Sequence, residues 1–280
     1  MRMTVYTPEA HLRAPRVLVR DMLADLRASF GLAKRLAIRD MRAQYRGSLL
    51  GYLWAFITPV MNTVMWLFLN STGIVRVTNT GMPYAAYIFT GTMLWQVFTE
   101  SLSSPIAQVN GARSMLAKLN FPREALILSG LFKTLFGACI KFLILVPAIL
   151  LLGVPPDLHL ALFPFAAVAI ILFGSGIGLL LAPLGMLYKD IGRAIPIVSQ
   201  FLMYMSPVLF AMPTKGLTAR IFQLNPLSPL ILTARAWLTG SASPMFTGWL
   251  LVSACAVLLM LIGWLFYRIT MPVLVERMSS

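Results

Sequence analysis

The stretch RDMRAQYRGSLLGYLWAFITP, residues 39–59, places a charge-dense segment directly against an apolar run. Four charged residues fall in its first eight positions, and no loop separates them from the apolar residues that follow. A soluble domain gains nothing from this arrangement, whereas basic residues beside a spanning helix fix its orientation in a membrane. The stretch therefore predicts the start of a membrane-spanning segment.

The composition of the whole chain agrees with this interpretation. Of its 280 residues, 59% are hydrophobic and 11% are charged, against roughly 25% charged in an ordinary soluble domain. The formal net charge is +14. The cations are spread between apolar runs without a sustained basic block, which argues against nucleic acid as a partner. We predict an all-α membrane protein that crosses the bilayer several times.

Six segments approach the length of about 20 mostly apolar residues that a spanning helix needs. They are 49–72, 84–107, 124–152, 160–187, 194–213 and 244–267. Glu100 interrupts the second segment, and Pro196 and Pro207 interrupt the fifth. We therefore expect six transmembrane helices.

The Lys and Arg residues between these segments predict the orientation of the chain. Seventeen of them lie before the first segment, in the loops 108–123 and 188–193, and after the last segment. Four lie on the other side, and three of these are in the long loop 214–243. The asymmetry places both termini in the cytoplasm and predicts a multi-pass protein of the cytoplasmic (inner) membrane.

The segment before the first span has the pattern of an amphipathic helix. Its arginines fall within about 60° of one another on a helix, and they are Arg35, Arg39, Arg42 and Arg46. Apolar side chains take the opposite face, namely Phe30, Ala33, Ala37 and Met41. We expect a helix in the membrane interface, its arginines turned toward lipid phosphates or a cytosolic partner. The alternative is a positive-inside anchor that only fixes topology.

These patterns divide the chain into four parts. An N-terminal extension, 1–29, precedes the amphipathic helix, 30–47. The six-span domain follows at 48–268, and 269–280 forms a cytosolic tail. Glycines at the first junction allow the backbone to turn sharply into the first span.

Several kinds of chemistry have no residues to support them. The chain has no Gly-Lys dipeptide and therefore no P-loop for ATP hydrolysis. Its two histidines, His11 and His159, are far apart, which argues against a histidine metal site. Cys139 and Cys255 lie in apolar runs and are interpreted as buried thiols. The sequence GSGIG at 174–178 lies inside a span, so close helix packing is favoured over a nucleotide loop.

The charged residues within the spans are few. Glu100 lies about 24 Å along the second span at 1.5 Å per residue, close to its cytosolic end, so no carboxylate is expected at the bilayer midplane. This argues against an ion-coupled transporter and against an acid–base enzyme. The third span carries Lys133 and Lys141. We expect Lys133 to reach the interface, and Lys141 either to line a path for an anionic substrate or to pair with a carbonyl.

Five short motifs carry a resemblance to a known family. In chain order they are RDMRAQYRGSLLGYLW at 39–54, KLNFPREAL at 118–126, YKDIGRAIP at 188–196, YMSPVLF at 204–210 and NPLSPLI at 225–231. Together they resemble the permease subunits of polysaccharide-exporting ABC transporters, above all the Wzm-type O-antigen export permeases, with capsule and teichoic-acid export permeases as relatives. No single motif is decisive, but the ordered set extends over nearly all of the six-span body.

The resemblance implies partners and a coupling surface. It implies a homodimer that binds two ATP-binding cassette subunits, which would hold ATP and Mg, while this chain binds no cofactor and no metal. The amphipathic helix, about 30–46, would gate the cytosolic entrance, and a coupling helix, about 111–121, would dock on the ATPase. The implied coupling residues are Arg113, Lys118, Phe121, Arg123, Glu124, Lys189, Asp190 and Arg193. Ordinary positive-inside loops are the alternative.

The resemblance also implies two short re-entrant helices in 214–243, with Pro226 and Pro229 breaking the backbone between them. Aromatic side chains suit a carbohydrate path, and we expect Tyr52, Trp54 and Tyr204 to line one, together with Lys141. The implied function is ATP-driven export of a lipid-linked polysaccharide, with membrane lipids around the protein. The alternatives are an ABC exporter of small hydrophobic drugs or lipids, an ATP-independent flippase or channel, and a membrane-embedded glycosyl transferase.

Overall fold

The computed structural model describes residues 15–74, 80–118, 121–155 and 157–279. Every regular element in these ranges is helical, which confirms the all-α prediction. The α-helices are α1 Pro15–Tyr45, α2 Trp54–Ser71, α3 Tyr84–Gly111, α4 Arg113–Lys118, α5 Glu124–Leu151, α6 Phe163–Leu187, α7 Lys189–Tyr204, α8 Gly216–Leu224, α9 Leu227–Thr239 and α10 Phe246–Ser279. Short 3₁₀ helices, Gly51–Leu53 and Leu158–Leu162, precede α2 and α6.

Three helical segments in the described ranges are both long and apolar enough to cross a bilayer. They are Glu124–Leu151, Leu158–Leu187 and Phe246–Glu276, and they match the third, fourth and sixth predicted segments. The helices α2 and α3 occupy the first and second segments. The fifth segment, 194–213, is not one helix, because α7 ends at Tyr204 and residues 205–209 form turns.

Helix α6 is the centre of the bundle and packs between α3 and α10. A Cβ built on Gly174 would lie 2.8 Å from the Ser101 side chain, and one on Gly178 would overlap the carbonyl oxygen of Leu102. On the other side, a Cβ on Gly176 would lie 2.9 Å from the amide nitrogen of Met260. The glycines of GSGIG therefore allow backbones to approach closely, as small residues do between membrane helices. This confirms the packing interpretation of the motif.

Helix α1 begins at Pro15, so the expected boundary at 29–30 falls inside a helix. Its inner face packs along α5, with Ala33, Leu36 and Ala37 buried, and Phe30 contacts Phe132 edge-on at a centroid distance of 5.2 Å. Protein therefore covers much of the apolar face that we expected to lie on lipid.

An ion-pair cluster joins α1, α5 and α10. Arg268 donates from Nη1 to Glu124 at 2.6 Å and from Nη2 to Asp25 at 2.7 Å. All three side chains are largely shielded from solvent. The expected tail boundary after residue 268 also falls inside a helix, because α10 continues to Ser279.

Two short helices, α8 and α9, are present in the segment 214–243, as expected. The chain breaks between them at Asn225, whose Oδ1 accepts a hydrogen bond from the amide of Leu227. Its Nδ2 donates to the carbonyl of Met205 and to Ser206 Oγ. Pro229 was also expected at the break but lies within the first turn of α9.

Arg235 of α9 fixes the turns that end α7. Its guanidinium is buried, donates to the carbonyl of Pro207 at 2.9 Å, and lies 3.5 Å from the ring centroid of Tyr87. Tyr87 Oη donates to the carbonyl of Phe210 at 2.9 Å. In a continued helix the carbonyl groups of Pro207 and Phe210 would accept hydrogen bonds from backbone amides. Here Arg235 and Tyr87 donate to them instead, so the fifth segment can bend. Arg235 is thus an internal residue of the fold, and its charge carries no topology signal.

We predict that Gly178→Ala lowers the free energy of unfolding by about 1–3 kcal/mol, because the new methyl group would press α6 away from α3. The matched control is Gly192→Ala in α7, where an added Cβ would meet no atom within 4 Å. Thermal unfolding of both variants in detergent, followed by tryptophan fluorescence, measures the difference. Equal stability of the two variants would show that the α3–α6 contact is not close-packed.

Candidate substrate path and coupling surface

A cavity of about 460 Å³ lies between α1, α2, α3 and α5. Trp54 and Thr58 line it from α2, and Met41 and Gln44 line it from the end of α1. The remaining walls come from α3 and α5 and carry its charged residues, Glu100, Lys133 and Lys141. We call this space the charged cavity.

The buried end of the charged cavity holds an ion pair. Lys141 Nζ lies 2.8 and 2.6 Å from the two carboxylate oxygens of Glu100. The Lys141 side chain is 3% exposed and that of Glu100 is 49% exposed. Gly137 lies beside the pair, and a Cβ there would be in ordinary van der Waals contact with Glu100 Oε2 at 3.6 Å. The partner of Lys141 is therefore a carboxylate, and the expected pairing with a carbonyl is wrong.

Glu100 lies further from the end of its helix than the sequence suggested. The helix α3 runs to Gly111 rather than to residue 107, so Glu100 is about 16 Å from that end at 1.5 Å per residue and near the middle of the helix. The expectation that no carboxylate lies at the bilayer midplane stays a prediction. Since Lys141 holds both of its oxygens, however, Glu100 has the contacts of a counter-ion.

Lys133 gives the charged cavity an excess of positive charge. No carboxylate of the described residues lies within ion-pair distance of its ammonium group. The lining of the cavity also includes neutral polar groups from Gln96, Gln108 and Thr134. Two cations and one anion leave the cavity with a net charge of +1, which favours an anionic ligand where the effective dielectric constant is low.

The structure brings together only some of the predicted path residues. Trp54 and Lys141 both line the charged cavity. Tyr204 lies at the end of α7 and is exposed, away from this cavity. The side chain of Tyr52 lies outside the described residues. Sequence reasoning missed the roles of Glu100 and Lys133. One acid in the second span and two lysines in the third were the available signal for an ion pair between these spans.

A second cavity, of about 430 Å³, lies between α1 and α4. Arg39 lines it from α1, and Ser114, Met115 and Lys118 line it from α4. Arg39 also pairs with Asp40 at 2.8 Å. The predicted gate and coupling helices therefore face one another across this cavity, and basic residues from both line it.

The other predicted coupling residues differ in exposure. The exposed residues are Arg113, Lys118, Lys189, Asp190 and Arg193 on the coupling segments, and Arg35, Arg42 and Arg46 in or just after α1. Phe121 and Arg123 are partly buried, and burial lowers the pKa of Arg123. Glu124 is buried in its pair with Arg268. We therefore correct the assignment of Glu124 from the docking surface to the internal ion-pair cluster.

Comparison with known proteins decides the family. Residues 32–236 match the family model described as ABC-2 type transporter. The chain belongs to the ABC-2 type transporter family. This ABC-2 chain is 26% identical to the O-antigen export system permease protein RfbA of Myxococcus xanthus over 213 residues, which cover 74% of the chain and 79% of the relative.

Two further relatives point the same way. The ABC-2 chain is 24% identical to an O-antigen export system permease protein RfbA of Klebsiella pneumoniae, over 74% of the chain and 79% of the relative. It is 22% identical to the capsule polysaccharide export inner-membrane protein CtrC of Neisseria meningitidis, over 62% of the chain and 66% of the relative. The resemblance drawn from the motifs is confirmed, and this family is one of transport permeases rather than catalysts.

We predict that Glu100→Gln destabilises the ABC-2 chain by about 2–4 kcal/mol, because it leaves the ammonium of Lys141 buried without a counter-ion. The double variant Glu100→Gln/Lys141→Gln should recover most of that loss. The control is Asp190→Asn, whose partner Arg193 is 3.7 Å away in an exposed pair expected to contribute about 0–0.5 kcal/mol. Thermal unfolding of these variants and of Lys141→Gln in detergent gives the coupling energy, and additive effects would contradict a coupled pair.

Proposed function

We propose that this chain is the permease subunit of an ABC transporter that exports a lipid-linked polysaccharide across the cytoplasmic membrane. The observation that carries the proposal is its similarity, over most of its length, to permeases named for O-antigen and capsule polysaccharide export. The apolar helices of the bundle and the basic segments beside them support a place in the inner membrane.

In the proposed topology the chain crosses the membrane six times, through α2, α3, α5, α6, the region of α7 with its following turns, and α10. Both termini, α1 and α4 face the cytoplasm, as the distribution of Lys and Arg favours. The helices α8 and α9 re-enter from the outer side and close the outer mouth. The internal bonds of Arg235 and Asn225 support this, since irregular backbone at membrane depth needs protein partners.

The proposed transporter contains two copies of this chain and two ATPase subunits, which bind ATP and Mg. Six helices can hardly enclose a path for a hydrated glycan, whereas twelve can. The exposed apolar side chains of α7, Ile197, Val198 and Phe201, offer one surface that lipid or the second copy would cover.

We place the contact with the ATPase at α4 and at the first turn of α7. The exposed polar residues there supply charged contacts, and they are Arg113, Lys118, Lys189, Asp190 and Arg193. Phe121 and Arg123 support α4 from behind. Because Arg39 and Lys118 line one cavity, a displacement of α4 by the ATPase would change the space beside α1.

We place the substrate path beside α1 and α2. The exposed arginines of the α1 region, Arg35, Arg39, Arg42 and Arg46, would attract the phosphate groups of the lipid carrier at the cytosolic entrance. Trp54 and Lys141 line the charged cavity, and Tyr52 and Tyr204 would contribute aromatic contacts further along the path.

Deletion of the gene in its native cell tests the proposal. The expected result is loss of one polysaccharide from the cell surface and accumulation of its lipid-linked form inside, both reversed by the wild-type chain. An unchanged set of surface polysaccharides would contradict the proposed function.

We predict that the double charge reversal Lys118→Glu/Lys189→Glu uncouples the transporter, because the ATPase would meet repulsive charges at its dock. Export in the complemented deletion strain should fall at least about tenfold, which corresponds to about 1.4 kcal/mol of lost coupling, and co-purification of an ATP-binding partner should be lost. Lys215→Glu, in the exposed segment before α8, is the control and should behave as wild type. Retained co-purification with the double variant would refute this docking surface.

A further inference from the structure

We propose that the charged cavity is a phosphoanion-binding site in which Glu100 is a resident counter-ion that the ligand displaces from Lys141. The ligand class is a phosphate or diphosphate group, and the proposed function supplies its source, the head of a lipid carrier. The site lies within one protomer, between α2, α3 and α5, with the end of α1 at its edge.

The charges of the cavity select an anion. Lys133 is an ammonium group with no carboxylate partner among the described residues, and Lys141 already has one in Glu100. A phosphoanion that enters the cavity therefore finds Lys133 at once. Lys141, about 12 Å further along α5 at 1.5 Å per residue, becomes available as soon as Glu100 moves away. Gln96 and Gln108 also line the cavity, and their amide groups would donate hydrogen bonds to phosphate oxygens.

The exposures of the two partners show which one moves. The Lys141 side chain is 3% exposed, so it is fixed within the helix bundle. The Glu100 side chain is 49% exposed, so its carboxylate can turn toward water without unpacking either helix. In the empty site Glu100 neutralises Lys141 and makes its burial tolerable. In the filled site the phosphoanion takes over that role.

The surroundings of the cavity suit a ligand with a lipid tail. Its volume of about 460 Å³ falls within the range of small-molecule sites, about 300–1,000 Å³. Trp54 and Thr58 line it from α2, and Met61 and Met65 follow at helical spacing on the same face of α2. Both methionines are exposed. The face that holds the head group thus continues as an apolar track for the chain attached to it.

The test uses the full chain in phosphatidylcholine nanodiscs and calorimetric titration with three probes: farnesyl diphosphate, inorganic diphosphate and farnesol. Farnesyl diphosphate should bind, and Lys133→Gln should weaken its binding at least about tenfold through loss of a charge-assisted contact. Lys133 makes no ion pair within the described residues, so this variant should fold. Lys215→Gln, an exposed lysine outside the cavity, is the matched control and should bind as wild type does.

A second measurement separates a displaced counter-ion from a structural ion pair. Glu100→Gln removes the competitor of the ligand, so it should bind farnesyl diphosphate several-fold more tightly. The ligand should also raise the unfolding temperature of Glu100→Gln by more than that of the wild type, because it restores a partner to Lys141. An equal shift in the two proteins, or weaker binding by Glu100→Gln, would overturn the displacement.

The probes also identify the source of the anion. Binding of farnesyl diphosphate far tighter than that of inorganic diphosphate supports the lipid head group, whereas equal binding of the two supports free phosphate at the same site. Farnesol that binds as tightly as its diphosphate, or binding unaffected by Lys133→Gln, would refute a phosphoanion site. Loss of the surface polysaccharide on gene deletion would stand in either case, so the two proposals can fail separately.

Discussion

A cation buried inside a helix bundle, with little or no access to solvent, must find its partner within the protein, and this constraint shapes the chain at three places. Lys141 is held by Glu100, Arg235 by backbone carbonyls and the ring of Tyr87, and Arg268 by Asp25 and Glu124. Each of these contacts joins segments that are distant in sequence. Since an unpartnered buried charge is strongly destabilising, these contacts limit how the helices can be arranged, and polar contacts of this kind remain effective where lipid removes the usual hydrophobic drive.

The contacts of Arg235 and Lys141 differ in how easily they can open. The Arg235 contact and the glycine-mediated packing of α3, α6 and α10 are buried and made largely with backbone, as expected of a fixed frame. The Glu100–Lys141 pair borders a cavity and has one half-exposed partner. Helices α1, α4 and α7 carry most of the exposed charges. In the proposed mechanism the frame stays in place, and ATP-driven movement reaches the charged cavity through α4 and α1.

The sequence predicted what depends on local pattern, and it missed what depends on distant partners. Apolar length located the segments of α5, α6 and α10, and the small residues of GSGIG predicted close packing. The bend after Tyr204 was missed because its cause, Arg235, lies some 30 residues further along the chain. The resemblance placed Glu124 on a docking surface, and its pairing with Arg268 was missed because that partner is on the last helix.

For the charged cavity, too, the sequence predicted residue types but missed contacts between distant residues. The two path residues that the structure places together, Trp54 and Lys141, were predicted from residue type alone. Glu100 was placed near the end of its span because the end of α3 was set four residues too early. Its pairing with Lys141 joins residues 41 positions apart. The periodicity of one helix indicates which of its residues share a face, and it does not predict contacts with another helix.

The most direct test of the central claim is translocation in proteoliposomes that contain this chain and its co-purified ATPase, loaded with the lipid-linked polysaccharide from the native cell. A glycan-degrading enzyme on the side away from the ATPase reports how much of the glycan has crossed. The account predicts that the glycan becomes accessible only with ATP and only when both subunits are present. Translocation at the same rate without ATP, or by this chain alone, would contradict it and indicate an ATP-independent flippase.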